Sequence, residues 1–235
     1  MIVSIAQPAY LPWLGYFDRI FKSDVHVVLD DVMLERSSKT RFTNRNKIKT
    51  HQGSLWLTVP VATSGLGQPI INEAMIGNES KWPNKHFQTL IGSYNKSVYF
   101  NEYKIWFEDF YKKEWKLLCP LLEYSTDYLL NILGITSSLI KSSEMRAEGQ
   151  KSDYIINLCK EVGATVYLSG PFGRDYLDLD MFENADIDVR FHDYQHPMYK
   201  QLFEKFIPYM SIVDLLFNEG PKSLDILTGG GGRLK

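Results

Sequence analysis

The sequence is poor in cysteine, in net charge and in long apolar runs, and each shortage argues against a class of protein. Its two cysteines, Cys119 and Cys159, form no CxxC pair, which argues against a disulfide framework and against a structural zinc site. The formal net charge of −2 provides no positive field for nucleic acid or an anionic membrane. No basic leader precedes the first apolar run, which is too short for a signal peptide or a membrane span. We therefore expect a cytoplasmic protein with buried, reduced thiols and no nucleic-acid or membrane partner.

The familiar phosphate-binding and nucleophile motifs are also missing. The sequence contains neither a GxxxxGK[ST] loop nor a GxGxxG fingerprint, and none of its serines lies in a GxSxG elbow. A phosphate site or a nucleophilic serine therefore cannot be assigned from a motif.

The first eighteen residues, in contrast, are rich in proline and aromatic side chains. An apolar strand over residues 2–6 runs into a loop that carries two prolines, a glycine and the rings of Tyr10, Trp13 and Tyr16. Prolines fix the backbone, and aromatic rings beside a strand end form the rigid, partly apolar walls that small-molecule pockets use. The loop predicts one wall of a ligand pocket, and the alternative is a hydrophobic plug at one end of the core.

Strand and helix patterns alternate along the chain. The opening strand, a short helix over 14–22 and an apolar strand over 25–31 predict a parallel pair that is buried on both faces. Further strands are predicted over 54–61, 70–76, 138–143, 165–170 and 187–191, and further helices over 81–93, 100–118, 120–133, 151–162 and 211–217.

This alternation predicts an α/β fold with a mainly parallel central sheet. We expect one domain over residues 1–228, with a helical insertion at about 80–135 in the middle of the chain. Residues 229–235, which are rich in glycine, are predicted to be a disordered tail.

Polar residues follow three of the predicted strands, at the point where each strand ends. They are Gln7 after the first strand, Asp30 after the second, and Ser169, Gly170, Arg174 and Asp175 after a late one. Open parallel sheets bind ligands in the crevice outside the carboxyl ends of their strands. The sequence therefore predicts that these residues share one pocket.

Asp30 is a candidate general base or metal ligand. The neighbouring Asp31 points to the opposite face of the strand, so at most one of the two carboxylates faces a shared site. The alternative is structural, with one carboxylate capping a helix and the other pairing with an arginine.

The segment Asn44, Arg45 and Asn46 is a candidate clamp for a phosphorylated ligand. Arginine makes bidentate bonds to phosphate, and asparagine both donates to and accepts from hydroxyl groups. The alternative is a solvated basic loop.

Two further segments carry chemistry. The turn at Ser169 and Gly170 could present backbone N–H groups to an anion or an oxyanion, although a purely structural turn is the equal alternative. The segment from His192 to His196 offers two imidazoles and the phenol of Tyr194, and imidazole is the usual general base near neutral pH. Pro197 makes this segment extended, so we expect no zinc site there.

Several of these segments together resemble one family closely. The residues that carry the resemblance lie at 7–17, 29–31, 44–46, 57–61, 167–170 and 211–218, and they are similar to motifs of the WbqC-like protein family. The resemblance extends over nearly the whole chain to about residue 220. Members of this family are commonly encoded among bacterial genes for surface polysaccharides and modified sugars, which implies work on an activated sugar.

The resemblance carries no catalytic assignment, so the roles come from the chemistry of the residues. Our leading hypothesis is a transferase that attaches an acyl or aminoacyl group, such as glycine, to the amine of a nucleotide-linked amino sugar. The predicted roles are His196 or Asp30 as base, Ser169 and Gly170 as oxyanion donors, Asn44, Arg45 and Asn46 as pyrophosphate clamp, and Tyr10, Trp13 and Tyr16 as stacking rings. The acyl donor stays open between activation by ATP, coenzyme A and an aminoacyl-tRNA, of which the last fits the acidic charge poorly.

Two other classes of function compete with this hypothesis. A nucleotidyl-transfer enzyme would use Asp30 to hold magnesium, but no HxGH-type motif or lysine-rich signature supports it. A non-catalytic sugar-binding module is favoured by the loop aromatics and disfavoured by the charged turns.

Overall fold

The computed structural model describes residues 1–34, 42–62, 67–77 and 81–232. Its strands are β1 (Ile2–Ala6), β2 (Val25–Val28), β3 (Arg45–Thr50), β4 (Gly53–Thr58), β5 (Ser138–Lys141), β6 (Val166–Ser169) and β7 (Asp188–Phe191). Five of them form one sheet in the order β5-β2-β1-β6-β7, and every neighbouring pair in it is parallel. The predicted α/β class and the parallel central sheet are thereby confirmed.

Helices surround this sheet, and three of them follow one another in the middle of the chain. The helices are α1 (Leu14–Phe21), α2 (Trp82–Tyr94), α3 (Phe100–Lys112), α4 (Leu118–Leu133), α5 (Lys151–Glu161), α6 (Leu179–Glu183), α7 (Ile212–Glu219) and α8 (Ser223–Thr228). Helices α2 to α4 form the predicted helical cluster between β4 and β5. The last of them ends at Gly134, whose φ of +70° is the left-handed conformation that glycine adopts readily at a helix end.

Strand β1 is central to the sheet and is buried on both faces. Val3 and Ile5 pack into an apolar cluster with Ile155 of α5, while Ala6 packs against a larger cluster that includes α1 and α2 to α4. Ser4 faces that larger cluster with its hydroxyl 2.8 Å from Nδ1 of His26. The buried Nε2 of His26 has no partner among the described residues.

The order of the strands reverses on either side of β1. From β1 the chain builds β2 and then β5 on one side, and returns to build β6 and β7 on the other. The connections that follow the neighbouring strands β1 and β6 therefore lead away in opposite directions. This leaves a crevice at the carboxyl ends of the two strands, where such sheets bind ligands.

Two predictions about local structure are wrong. Residues 70–76 form no strand, because the buried Ile71 and Ala74 reach the core through one 3-10 turn over Ile71–Glu73 with single bridges on either side. The helix predicted over 100–118 stops at Lys112, and α4 begins at Leu118 after an extended stretch.

The basic segment after residue 42, for which no strand was predicted, contains strand β3. Strand β3 pairs antiparallel with β4 in a tight hairpin, so Arg45 and Asn46 belong to a strand and not to a solvated loop. The hairpin forms because Asn46 and Ile48 turn inward on one face, where both are buried.

No helix in the described ranges is both long and apolar enough to cross a bilayer. The final residues of the predicted disordered tail, 233–235, lie outside the described residues. Gly229 and Gly230, at its start, form a turn with positive φ at the end of α8.

Candidate functional site

A cavity of about 940 Å³ opens at the carboxyl ends of β1, β6 and β7. Its floor comes from the end of β1, where Ala6 and Gln7 line it, and its sides come from Gly170 after β6 and His192 after β7. The cavity therefore lies at the reversal of strand order, the position predicted for a ligand in this kind of sheet.

Aromatic side chains form much of the cavity wall. The ring of Trp13 lies 4.9 Å from that of Phe42, measured between centroids, and both line the cavity. Tyr194 lies across the start of α1, where a Cβ on Gly15 would be 2.9 Å from its ring, so glycine is required for this approach. Phe172 lines the same space and is 67% exposed.

A buried carboxylate holds the histidine of this cavity. Oδ2 of Asp18, on α1, lies 2.6 Å from Nε2 of His192, and Lys22 reaches the same oxygen at 2.8 Å. A carboxylate oxygen can only accept, so Nε2 of His192 donates to Asp18 and the ring is oriented with Nδ1 as its second nitrogen. Nδ1 makes no hydrogen bond to the described residues, so it is the ring nitrogen available to a ligand.

Arg19, next along α1, also lines the cavity. Its Nε is buried, and within the described part of the chain this atom has no hydrogen-bond partner. The pKa of Tyr176, another cavity residue, is raised by burial, and the charge of Arg19 opposes that rise.

Four of the residues predicted from the sequence meet in this cavity: Gln7, Trp13, Gly170 and Tyr194. Oε1 of Gln7 accepts a hydrogen bond from Thr43 at 3.3 Å, and the hydroxyl of Tyr194 donates to the carbonyl of Leu227 at 2.9 Å. Burial raises the pKa of Tyr194, and the nearby charge of Asp18 raises it further. The phenol therefore stays protonated and anchors the ring.

The other two predicted stacking rings lie in the core. The hydroxyl of Tyr10 is fully buried between Nδ1 of His86 at 3.0 Å and the hydroxyl of Tyr111 at 2.5 Å. Tyr16 is 2% exposed and packs edge-on against Phe17. In the opening loop, Trp13 thus forms part of the cavity wall, whereas the two tyrosines pack in the hydrophobic core.

Asp30 lies at the end of β2 and is bound by the segment after β5. Its Oδ1 accepts from the backbone N–H of Ser143 at 2.9 Å and its Oδ2 from the hydroxyl of Ser143 at 2.7 Å, while Ser142 donates to Oδ1 at 3.2 Å. The carboxylate is 1% exposed and its neighbour Leu29, not Asp30 itself, lines the large cavity.

The predicted clamp lies on and beside the hairpin. Nδ2 of Asn44 donates to the carbonyl of Val59 at 2.7 Å, and Nδ2 of Asn46 donates to the carbonyl of Leu11 at 2.7 Å. The guanidinium of Arg45 stacks 4.3 Å above the ring of Trp56. The two amides therefore bind backbone carbonyls of this chain.

The residues around the β6 turn divide between cavity and surface. Ser169 is fully buried and its hydroxyl donates to the carbonyl of Gly170 at 3.2 Å. Arg174 makes a bidentate pair with Asp193, at 2.8 and 2.7 Å, and Asp175 is exposed.

His196 lies beside the cavity without lining it. Its Nδ1 is 2.8 Å from the carbonyl of Pro197, and its ring lies 5.0 Å from that of Tyr209, which does line the cavity. Burial lowers its pKa, so the imidazole is held neutral in this aromatic setting.

Comparison with known proteins connects this fold to a family. The family model described as "WbqC-like protein family" matches residues 7–226. The chain belongs to the WbqC-like protein family. It is also 36% identical over 227 residues to the uncharacterized protein Rv1507c of Mycobacterium tuberculosis (strain ATCC 25618 / H37Rv), with 96% of each chain covered. No solved structure matches the chain.

In this WbqC-like protein, sequence reasoning missed Asp18 and Arg19. Both lie on α1, where the spacing of Leu14, Phe17 and Ile20 indicates the face that packs on the core. The polar residues between them are therefore interpreted from sequence as facing solvent. The available signal was their place in the first helix after the first strand of a parallel sheet, beside the predicted carboxyl-end pocket.

One trio of described residues has the spacing of metal ligands. Ligand atoms of Asp30, Cys119 and Glu123 lie within 4.8 Å of one another. Burial raises the pKa of the Cys119 thiol to about 12, and that thiol donates to Glu123 at 3.4 Å, while Lys141 lies 3.6 Å from the same carboxylate. A protonated thiol and a neighbouring ammonium fit a hydrogen-bonded cluster better than a cation site.

Proposed function

We propose that this WbqC-like protein attaches an acyl or aminoacyl group, such as glycine, to the amine of a nucleotide-linked amino sugar. The observation that carries the proposal is the Asp18–His192 pair, which presents a carboxylate-oriented imidazole to the large cavity of the sheet. Family membership supports the sugar as substrate class, since the resemblance implies work on activated sugars.

The chemistry requires a proton acceptor beside the attacking amine. His192 takes a proton from the sugar ammonium at Nδ1, and the freed nitrogen lone pair forms a bond to the carbonyl carbon of the activated acyl donor. The attacking nitrogen then gives up its second proton to the departing group, the tetrahedral intermediate collapses, and the bond to that leaving group breaks with its electron pair. Asp18 stabilises the imidazolium that forms on His192, as a carboxylate does in a hydrolase triad.

The walls of the cavity suit the remaining parts of such a substrate. Trp13, Phe42 and Tyr194 offer ring faces to a nucleobase or a sugar. Gly170 brings backbone without a side chain to the same space, which supports the proposed oxyanion donor at this position. The N–H of Gly173 already donates to the carbonyl of Gly170 at 3.0 Å.

His196 and Asp30 stay alternative bases in this proposal. His192 is favoured because it lines the cavity, whereas Asp30 is engaged by Ser142 and Ser143 and His196 packs against Tyr209. Matched glutamine variants of the two histidines decide between them.

The test combines binding and product formation. In thermal-shift titrations, uridine- and thymidine-diphosphate-linked amino sugars should raise the melting temperature of the protein in the absence of magnesium. Incubation with each sugar and with acetyl-coenzyme A, ATP plus glycine, or glycyl-tRNA should yield an N-acylated sugar by mass spectrometry. His192→Gln should lower turnover by about 100-fold or more, the usual share of a general base, and His196→Gln should not. A reversed pattern assigns the base to His196, and no product with any donor counts against the transferase.

A second candidate, nucleotidyl transfer, is favoured by the sheet order, because nucleotides bind at such a reversal of strands. It predicts stabilisation by a nucleoside triphosphate only when magnesium is present. A response to free glycans alone would instead favour a sugar-binding module.

A further inference from the structure

In the part of the chain that the structure describes, Arg19 lacks the carboxylate partner that two other arginines near this end of the sheet have. Arg174 is paired with Asp193 at 2.7 Å, and Arg190 with Asp188 at 2.8 Å. Within the described ranges no carboxylate lies within 4.0 Å of the Arg19 guanidinium, although its Nε is buried. Arg19 as a whole is half-buried, but leaving its buried Nε without a hydrogen bond or a counter-charge is costly, and a bound anion would supply both.

The carboxylates nearest in the chain and in the cavity are engaged elsewhere. Asp18, the neighbour of Arg19, holds His192 at 2.6 Å and Lys22 at 2.8 Å. Asp193, which lines the cavity, is held bidentately by Arg174. Among the described residues, the cavity therefore keeps one positive charge that no acidic side chain neutralises.

Gly170 provides the room in which the guanidinium lies. A Cβ built on Gly170 would be 2.6 Å from Nη1 of Arg19, well inside contact distance. The φ of Gly170 is −67°, a value that any residue adopts, so the backbone does not require glycine here. The requirement comes from the close approach of Arg19 to the end of β6.

We infer that Arg19, seated over Gly170, is the binding site for the phosphate oxygens of the ligand, and that the ligand is a diphosphate ester. A planar guanidinium matches two phosphate oxygens bidentately, and its place at the end of β1 and β6 is where parallel sheets hold phosphates. The subsite replaces the predicted clamp at Asn44, Arg45 and Asn46.

The inference rests on the proposed function for what lies beyond the phosphates, but it can be tested with the phosphates alone. Inorganic pyrophosphate and uridine diphosphate are the probes, and isothermal titration and thermal shift are the measurements. The variants are Arg19→Gln, Arg19→Lys and Gly170→Ala, with Arg190→Gln as the matched control for loss of a surface arginine that pairs with Asp188.

We expect both probes to bind the wild-type protein and Arg190→Gln alike. Arg19→Gln should weaken binding by about 10- to 100-fold, the usual effect of losing charged hydrogen bonds, and Arg19→Lys should recover part of it. Gly170→Ala should weaken binding similarly, because its Cβ displaces the guanidinium while Arg19 stays in the chain. If Gly170→Ala fails to fold, Arg19→Gln alone decides, since Arg19 makes no ion pair with the described residues whose loss would destabilise the fold.

Unchanged pyrophosphate binding in Arg19→Gln, no binding to the wild-type protein, or equally strong binding of acetate overturns the subsite. The two proposals fail separately. If pyrophosphate binding depends on Arg19 but no acylated product forms, the phosphate subsite is supported and the proposed transferase activity is wrong. If Arg19→Gln forms product with a wild-type KM for the nucleotide-linked sugar, the transferase activity is supported and the phosphate subsite at Arg19 is wrong.

Discussion

The side-chain amide of Asn46 donates to the backbone carbonyl of Leu11 at 2.7 Å, which ties the hairpin to the aromatic loop that walls the cavity. Leu11 has a φ of +41°, a conformation that a leucine seldom adopts. Ser211 donates to the same carbonyl at 2.7 Å, so two side chains from distant parts of the chain hold this strained residue. Trp13 follows two residues later, and its position in the cavity depends on that support.

Asn46→Ala should therefore destabilise the fold by about 1–3 kcal/mol, because it removes the buried hydrogen bond to Leu11 and leaves the carbonyl with one partner, Ser211. Urea unfolding measures the loss. A variant of wild-type stability that no longer binds nucleotide-linked sugars would contradict this interpretation and restore Asn46 as part of a ligand clamp.

Asp18→Asn should reduce kcat by at least about tenfold and leave KM within a few-fold of the wild-type value. The amide keeps the shape of the carboxylate but no longer stabilises a charged His192, so the loss falls on the step in which the imidazole carries the proton. The measurement is steady-state kinetics with the donor that supports wild-type turnover. Asp188→Asn, at the far end of β7, is the control, and parallel losses of kcat in both variants would argue for a general structural effect.

The stability of the protein should fall as the pH drops from about 6.5 toward 4. Burial lowers the pKa of His86 to about 4 and that of His26 to about 3, with the charge of Arg19 adding to the effect on His26. In the unfolded chain these histidines have the ordinary pKa of about 6.5. Below that pH they are protonated in the unfolded chain but stay neutral in the native state, so protonation favours unfolding. Each such histidine removes about 1.4 kcal/mol of unfolding free energy per pH unit.

His86→Gln tests this sign, since glutamine can still accept from the hydroxyl of Tyr10 but cannot be protonated. Urea unfolding between pH 7 and pH 4.5 should show a slope that is smaller by about one proton than in the wild-type protein. The matched control is His51→Gln, which changes an exposed imidazole. A slope that is identical in all three proteins would show that His86 is not held neutral.

Much of the central sheet was predictable because its strands are short apolar runs that end in polar residues. Strands β1, β2 and β6 were predicted for this reason, and the glycine that ends α4 was recognised from its place after an apolar helix. Strand β3 was not, because its lysines resemble a solvated segment. Lys49 is in fact buried, with Nζ donating to the carbonyl of Phe203 at 3.2 Å, a partner that only the tertiary fold provides.

The candidate site was predictable to the extent that it follows strand ends. Gln7 and Gly170 come after strands of the sheet, and the sheet rule predicted that they share a pocket. Tyr194 was selected for the chemistry of the segment from His192 to His196. The pair of Asp18 and His192 was beyond sequence reasoning, because 174 residues separate its members and only the placement of β7 beside β6 brings them together.

Trp13 and Tyr10 should separate ligand binding from core stability within one loop. Trp13→Leu removes a ring that lines the cavity and is only partly buried, so binding of a nucleotide-linked sugar should weaken by about tenfold with a small change in stability. Tyr10→Phe removes the hydroxyl between His86 and Tyr111 and leaves buried polar atoms unpaired, which should cost about 1–3 kcal/mol without changing affinity. Thermal-shift titration and urea unfolding of both variants give the two readouts. Loss of affinity in Tyr10→Phe at wild-type stability would place that tyrosine in the site and the core plug interpretation would be wrong.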